Sequence, residues 1–308
     1  MARRIFLVIL IGLVVAALAI VWRASRAETL SAAALGVHRP DPANGRTMFF
    51  AGGCASCHAT PGADDHLRLG GGLALKSPFG TFHVPNISPH DSDGIGGWTE
   101  AQFATAMLKG TSPGGEHYYP SFPFTSYARM TVGDVRDLFA FMKTLPPAAG
   151  RVRAHELEFP FSLRPLLGLW KLMFFDAATF VPDPAQSAAW NRGAYLVNGP
   201  GHCGECHTPR NRLGGPVGAQ RFAGGPAPDG EGWVPNITQF ALKGWSAEEL
   251  ADFLQYGDKP DGSPIVGAMV PVVRNTAQLP AADRQAMALY LKSLPPLEGP
   301  RRPQRASQ

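Results

Sequence analysis

All four cysteines of the 308-residue chain fall in two strings, Cys54-Ala55-Ser56-Cys57-His58 and Cys203-Gly204-Glu205-Cys206-His207. This is the spacing of covalent haem c attachment. Two thiols so placed can add across the porphyrin vinyl groups as thioethers, and the histidine that follows meets the iron from one side. Other uses of paired cysteines fit worse. A zinc site would need two further ligands per string. Two disulfides leave both histidines unexplained, and a thioredoxin-like redox pair lacks its βαβ setting. The strings therefore predict two covalent haems, held by Cys54, Cys57, Cys203 and Cys206, with His58 and His207 as proximal ligands.

Haem iron takes a sixth ligand, and a methionine thioether is a common one that raises the potential. In the second half of the chain the choice lies between Met269 and Met287. Met287 shares an apolar helix face with Tyr290, Leu291 and Leu294 and reads as core, whereas Met269 lies in Gly267-Ala268-Met269-Val270-Pro271, which reads as a loop. In the first half Met107 and Met142 occupy buried helix positions and Met48 precedes the attachment string. That leaves Met130, directly before the helix cap Thr131, with His117 as its competitor. Met130 stands 16 residues before Pro146 and Met269 stands 26 before Pro295, so the two do not superpose.

The residues that must position these groups recur with a period near 149. Val84-Pro85-Asn86-Ile87 returns as Val234-Pro235-Asn236-Ile237, Gly97-Trp98-Thr99 as Gly244-Trp245-Ser246, and Leu145-Pro146-Pro147 as Leu294-Pro295-Pro296. The order predicts two copies of one domain, at 41–147 and 187–297, joined by a connector at 148–186 and followed by a polar, unstructured tail at 298–308. Thr99 with Gln102 and Ser246 with Glu249 have capping-box spacing, and the helices they open end near Gly110 and Gly257. Later helices begin after Thr131 and at Pro280. No alternation of apolar and polar residues is evident, so the fold reads as all-α.

Residues Ile5 to Trp22 carry no charge and are flanked by Arg3, Arg4, Arg23 and Arg26. As a helix they would span about 27 Å, close to the hydrocarbon thickness. Residues 1–27 therefore read as a transmembrane anchor, with a cleaved signal peptide as the competing reading because Ser25-Arg26-Ala27 has a small-x-small pattern. Both export the rest of the chain. Lys+Arg 28 against Asp+Glu 24 gives a net charge of +4, too small and dispersed to argue for nucleic acid. The connector is apolar from Leu163 through Trp170 to Phe175 and must be covered, by the two copies or by a partner. Asp91-Ser92-Asp93-Gly94 reads as a turn, because Gln102 stands where a calcium loop needs a bidentate glutamate. His66, His83, His90 and His155 read as solvated, and Trp98 and Trp245 as packing residues.

The sequence resembles the membrane-associated multihaem cytochrome c subunits of bacterial periplasmic dehydrogenases, of the alcohol, gluconate or sorbitol type. The resemblance covers about 41–297. Beyond the attachment strings it rests on His117-Tyr118-Tyr119-Pro120-Ser121-Phe122-Pro123, Ser126-Tyr127-Ala128-Arg129-Met130-Thr131, Phe174-Phe175-Asp176 and Trp190-Asn191-Arg192-Gly193-Ala194-Tyr195-Leu196-Val197. It implies two tandem class I cytochrome c domains, Met130 and Met269 as distal ligands, and electron transfer without substrate chemistry on this chain. It also implies a dehydrogenase catalytic subunit as donor, a quinone or terminal oxidase as acceptor, and a place on the periplasmic side of the bacterial inner membrane. Similarity to c-type cytochromes further suggests that Pro85 and Pro235 offer their carbonyls to the proximal histidines, the alternative being plain turns. The chain departs from many such subunits in having two haem strings rather than three and a polar C-terminal tail, so its anchor would be N-terminal. Competing functions are a dihaem subunit of a haem-copper oxidase, against which the family strings argue, and a dihaem peroxidase or thiosulfate dehydrogenase, the latter lacking a spare cysteine.

Overall fold

The computed structural model describes residues 2–302, so residues 303–308 of the expected polar tail lie outside the described residues. Helix α1 (Ala2–Ala24) is exposed from Arg3 to Ala24, and its apolar stretch has a mean hydropathy of 3.2. The rest of the chain is mostly helical, with similar helices in the same order on both sides of the connector. The first half holds α2 (Pro42–Ala51), α3 (Cys54–His58), α4 (Glu100–Lys109), α5 (Phe124–Tyr127) and α6 (Val132–Met142). Helix α7 (Leu166–Phe174) lies in the connector. The second half holds α8 (Ala188–Asn198), α9 (Gly204–His207), α10 (Gln239–Leu242), α11 (Ala247–Tyr256), α12 (Met269–Thr276) and α13 (Ala281–Ser293).

Local chemistry explains most of the boundaries. Asp41 caps α2 through the amides of Ala43 and Asn44, with Pro42 in the first turn. Both expected capping boxes form, Thr99 with Gln102 and Ser246 with Glu249, and the helices stop at Gly110 and Gly257 with φ of +58° and +82°. Helices α2 and α6 cross at Gly45, where an added Cβ would lie 1.9 Å from the Asp137 carbonyl oxygen. Helices α8 and α13 cross in the same way at Gly193, 1.9 Å from the Ala286 oxygen. Only glycine permits either approach. Met48, Phe49, Leu69 and Leu138 belong to the same buried cluster as Leu196, Val197, Phe222 and Met287, so one apolar core runs through both halves.

Two sequence expectations need correction. The chain is not purely helical: β1 (Ala74–Ser77), β2 (Gly80–His83) and β3 (Glu156–Leu157) form an antiparallel sheet, with Ala74 opposite His83 and Leu157 opposite Gly80. A second pair, β4 (Gly225–Pro226) and β5 (Trp233–Val234), is shorter still. Strands of two to four residues are too short to display a period of two. His83 is not solvated but buried at 3% exposure, its backbone amide donating to His155 Nδ1 at 3.1 Å.

The connector ties the halves together. Trp170 Nε1 on α7 donates to the Leu213 carbonyl at 2.9 Å, and Phe174 packs over Gly215. On the other side Lys171 Nζ donates to the carbonyls of Lys109 and Gly110, both at 2.7 Å, closing the C-terminal end of α4 beneath the Phe124 and Phe175 rings. Burial pushes this ammonium down to about 8. The strap thus contacts both halves through Trp170, Lys171 and Phe174, while Leu166, Leu169, Leu172 and Met173 stay exposed. Trp170→Ala should cost about 3–5 kcal/mol, as other buried tryptophan truncations do. A clear fall in the melting temperature of the isolated protein is expected, and wild-type melting would show that α7 does not hold the halves.

Candidate haem sites

Each attachment string forms a short helical turn, α3 or α9, with its histidine at the last position. His58 Nδ1 lies 2.8 Å from the Pro85 carbonyl oxygen, and His207 Nδ1 lies 2.8 Å from that of Pro235. A carbonyl only accepts, so Nδ1 is the donor and Nε2 is left with the lone pair a metal requires. Burial pushes His58 down to about 4 and lowers His207 as well, so both rings are neutral near pH 7. The four thiols are free, and burial pushes Cys54 and Cys203 up to about 12.

The carbonyls are themselves held in place by matching devices. Gly71 N donates to the His58 carbonyl at 2.9 Å and Gly224 N to that of His207 at 2.8 Å. Both glycines have positive φ, +69° and +74°, and a Cβ would come within 2.5 Å of the Pro85 oxygen at one and 2.6 Å of the Val234 oxygen at the other. Asn86 then bonds the Ala148 carbonyl and Asn236 the Leu297 carbonyl, each at 2.7 Å. The Val-Pro-Asn-Ile strings are irregular segments directly after β2 and at the end of β5, and their proline carbonyls engage Nδ1 of each histidine.

The two turns interlock. Ser56, just before Cys57, accepts from Asn275 Nδ2 of α12 at 2.9 Å. Glu205, at the corresponding place before Cys206, accepts from Thr125 Oγ1 at 2.5 Å and Ser126 Oγ at 2.6 Å. Thr125 and Ser126 belong to α5, so each half sends one short helix onto the attachment turn of the other. Arg210 also pairs with the Glu205 carboxylate. Burial pushes Glu205 up, but Arg210 and the two hydroxyls outweigh it and hold the carboxyl below its ordinary range. None of these partners was evident in the sequence, because the variable positions of an attachment string carry no pattern.

Met130 is 1% exposed, directly before the Thr131 cap of α6, with its Cγ beside Gly199 of the second half. The loop expected around Met269 is not there: Met269 opens α12 and is half-buried. Pro271 sits in the first turn of that helix, where its missing N–H costs nothing, so it marks a helix start and not a loop. Tyr118 N bonds the Gly110 carbonyl at 2.8 Å and Ile265 N bonds that of Gly257 at 2.9 Å, which sets the two halves in register. Counting forward from there, Phe122 occupies the place of Met269; counting back from α6 and α13, Leu279 occupies the place of Met130. The two methionines come from different turns. His117 directs Nε2 to the Ser25 carbonyl at 2.8 Å, beside Gly168 of α7.

Residues 42–146 match the family model of cytochrome c. The chain is 50% identical over 260 residues to a diheme cytochrome c-type protein of Cereibacter sphaeroides, covering 84% of this chain and 87% of that one. The chain belongs to the dihaem c-type cytochromes. It is also 37% identical to the fructose dehydrogenase cytochrome subunit of Gluconobacter japonicus, with 88% of this chain aligned to 56% of that protein. The gluconate 2-dehydrogenase cytochrome c subunit of Pantoea cypripedii is 34% identical, with 86% of this chain aligned to 63% of its length. The dihaem cytochrome thus spans only part of these two dehydrogenase subunits. Paired free thiols beside a neutral histidine whose Nδ1 is engaged fit covalently bound haem c at both sites.

Glu205→Gln should lower stability near neutral pH by about 1.5–3 kcal/mol, the worth of hydrogen bonds to a charged group. A carboxyl held low in the folded state stabilises fully above the ordinary glutamate value and loses that contribution as pH falls through the folded-state value. The gap in melting temperature between wild type and Glu205→Gln should therefore close in acid. A gap independent of pH would contradict the ion pair.

Proposed function

We propose that this dihaem cytochrome relays single electrons from the catalytic subunit of a periplasmic dehydrogenase to the respiratory chain, with quinone or a terminal oxidase as acceptor. The observation that carries the proposal is the joining of two attachment turns in one apolar core, each gripped by a helix of the other half. That is what a relay needs and a single-site binding protein does not. The names of the relatives, cytochrome subunits of fructose and gluconate dehydrogenases among them, support the dehydrogenase partner. In this reading the chain comprises tandem class I cytochrome c domains at 41–147 and 187–297, the connector at 148–186 and the tail at 298–308.

Residues 1–27 hold the dihaem cytochrome at the periplasmic face of the inner membrane. The 22-residue span in α1 would reach about 33 Å. Beside its end, where Gly168 of α7 packs on Ser25, the uncovered face of α7 presents Leu166, Leu169, Leu172 and Met173. An apolar face continuous with the anchor suits a membrane surface better than open water.

Bound haem supplies a reversible one-electron iron couple. The chain's part is to fix the proximal imidazoles through Pro85 and Pro235, to exclude water, and to offer Met130 and Met269 as distal thioethers. The burial of Met130 and the engagement of His117 with Ser25 favour methionine over histidine at the first site. Met130→Ala should remove half of the weak near-infrared sulfur-to-ferric-iron band and open one haem to carbon monoxide. An intact band together with a change in His117→Ala would make His117 the ligand. For the function itself, the full-length protein affinity-purified from native membranes is expected to bring with it a dehydrogenase catalytic subunit. A haem-copper oxidase subunit in that place would favour the oxidase reading.

A further inference from the structure

Between the two attachment turns lies a contact that haem binding alone does not require. Gly52 caps the end of α2, two residues before Cys54, and its carbonyl oxygen faces the second half. It accepts from His202 Nε2 at 3.2 Å and from Tyr127 Oη at 3.3 Å. The backbones are close here: a Cβ on Gly52 would sit 3.5 Å from Cys54 Sγ and 3.7 Å from the Pro200 carbonyl oxygen. His202 directly precedes Cys203, and its ring packs edge-on against Tyr127 at 5.7 Å.

His202 adopts a backbone conformation that disfavours it. Its φ is +39°, in the left-handed region, and Phe222 is the one other non-glycine residue with positive φ among those described. The conformation is kept by a bond from its amide to the Gly199 carbonyl at 3.1 Å. Glycine would adopt this turn without strain, so a histidine in its place points to work done by the ring. Burial also holds that ring below its ordinary range, and a neutral imidazole with Nε2 donating has its single proton on the Gly52 side.

We propose that the His202–Gly52 hydrogen bond is the electron bridge between the two haem sites, an inference that rests on the relay reading above. The route is covalent except for one hydrogen bond: Cys54, Gly53, the Gly52 carbonyl, across to His202 Nε2, then Cys203. Its ends are the thioether cysteines themselves. With haem held at both sites, one electron would pass from the reduced group to the oxidised one; no bond would break and the Nε2 proton would stay on His202. The grip of Thr125 and Ser126 on Glu205, and of Asn275 on Ser56, keeps the turns from separating and so holds this bond in place.

The test uses the full-length holoprotein in detergent, with haem content checked by intact mass. Exchange within one molecule is read from haem-methyl proton NMR of partly oxidised samples. His202→Phe keeps the ring and removes the donor; His202→Gly removes the donor and relieves the backbone, guarding against a misfolded first variant. Both should slow intramolecular exchange severalfold while the two reduction potentials and the melting temperature stay near wild type. Tyr127→Phe, which removes the other donor to the same carbonyl but lies outside the covalent route, should leave the rate unchanged. Wild-type exchange in a two-haem His202→Phe protein overturns the bridge and leaves the relay standing, as does equal slowing in Tyr127→Phe, which would mark a packing effect. Wild-type protein with fewer than two haems would instead overturn the relay reading.

Discussion

A histidine can serve a metal with one nitrogen only if something decides which one, and in this protein that decision is made by a proline carbonyl on each side of the molecule. The bonds of His58 to Pro85 and His207 to Pro235, both at 2.8 Å, have the same supports. A left-handed glycine follows the attachment turn at a place where a Cβ would strike the carbonyl segment, and the asparagine after each proline ties that segment to the chain that closes each half. With Nδ1 committed to a carbonyl, Nε2 is the nitrogen each ring has free for the proposed iron. The crossing of α2 on α6, and of α8 on α13, supplies the frame in which those turns are anchored.

The second constraint is that the two sites share a body. A continuous core, a strap bonded to both halves through Trp170 and Lys171, and the reciprocal contacts at Ser56 and Glu205 leave little freedom for one half to move against the other. Such rigidity suits electron transfer, whose rate depends steeply on separation. The buried Glu205 carboxylate that helps to achieve it is paired with Arg210 and accepts from two hydroxyls, so its desolvation is offset locally.

Features encoded over a few residues were legible in the sequence. The attachment strings, both capping boxes, the glycine stops at Gly110 and Gly257 and the helix starts after Thr131 and at Pro280 follow from local residues alone. Features that depend on tertiary approach were not. The short strands have no room for alternation, the burial of His83 arises from pairing with the connector, and Pro271 inside the first turn of α12 reads equally as a loop signal. The hydroxyl partners of Glu205 lie 79 and 80 residues away, and nothing local announces them. The shift in register that brings Met130 and Met269 from different turns was visible as unequal spacing, but its cause needed the hydrogen bonds that align Tyr118 with Ile265.

A relay between two haems requires both attachment turns to be loaded in the same molecule. Intact-mass measurement of the full-length protein after export, under denaturing conditions that retain only covalent adducts, tests this most directly. Two haem adducts on every chain are predicted, with Cys54, Cys57, Cys203 and Cys206 all blocked to alkylation. A uniform population with one adduct or none, and a free thiol pair in either string, would contradict it.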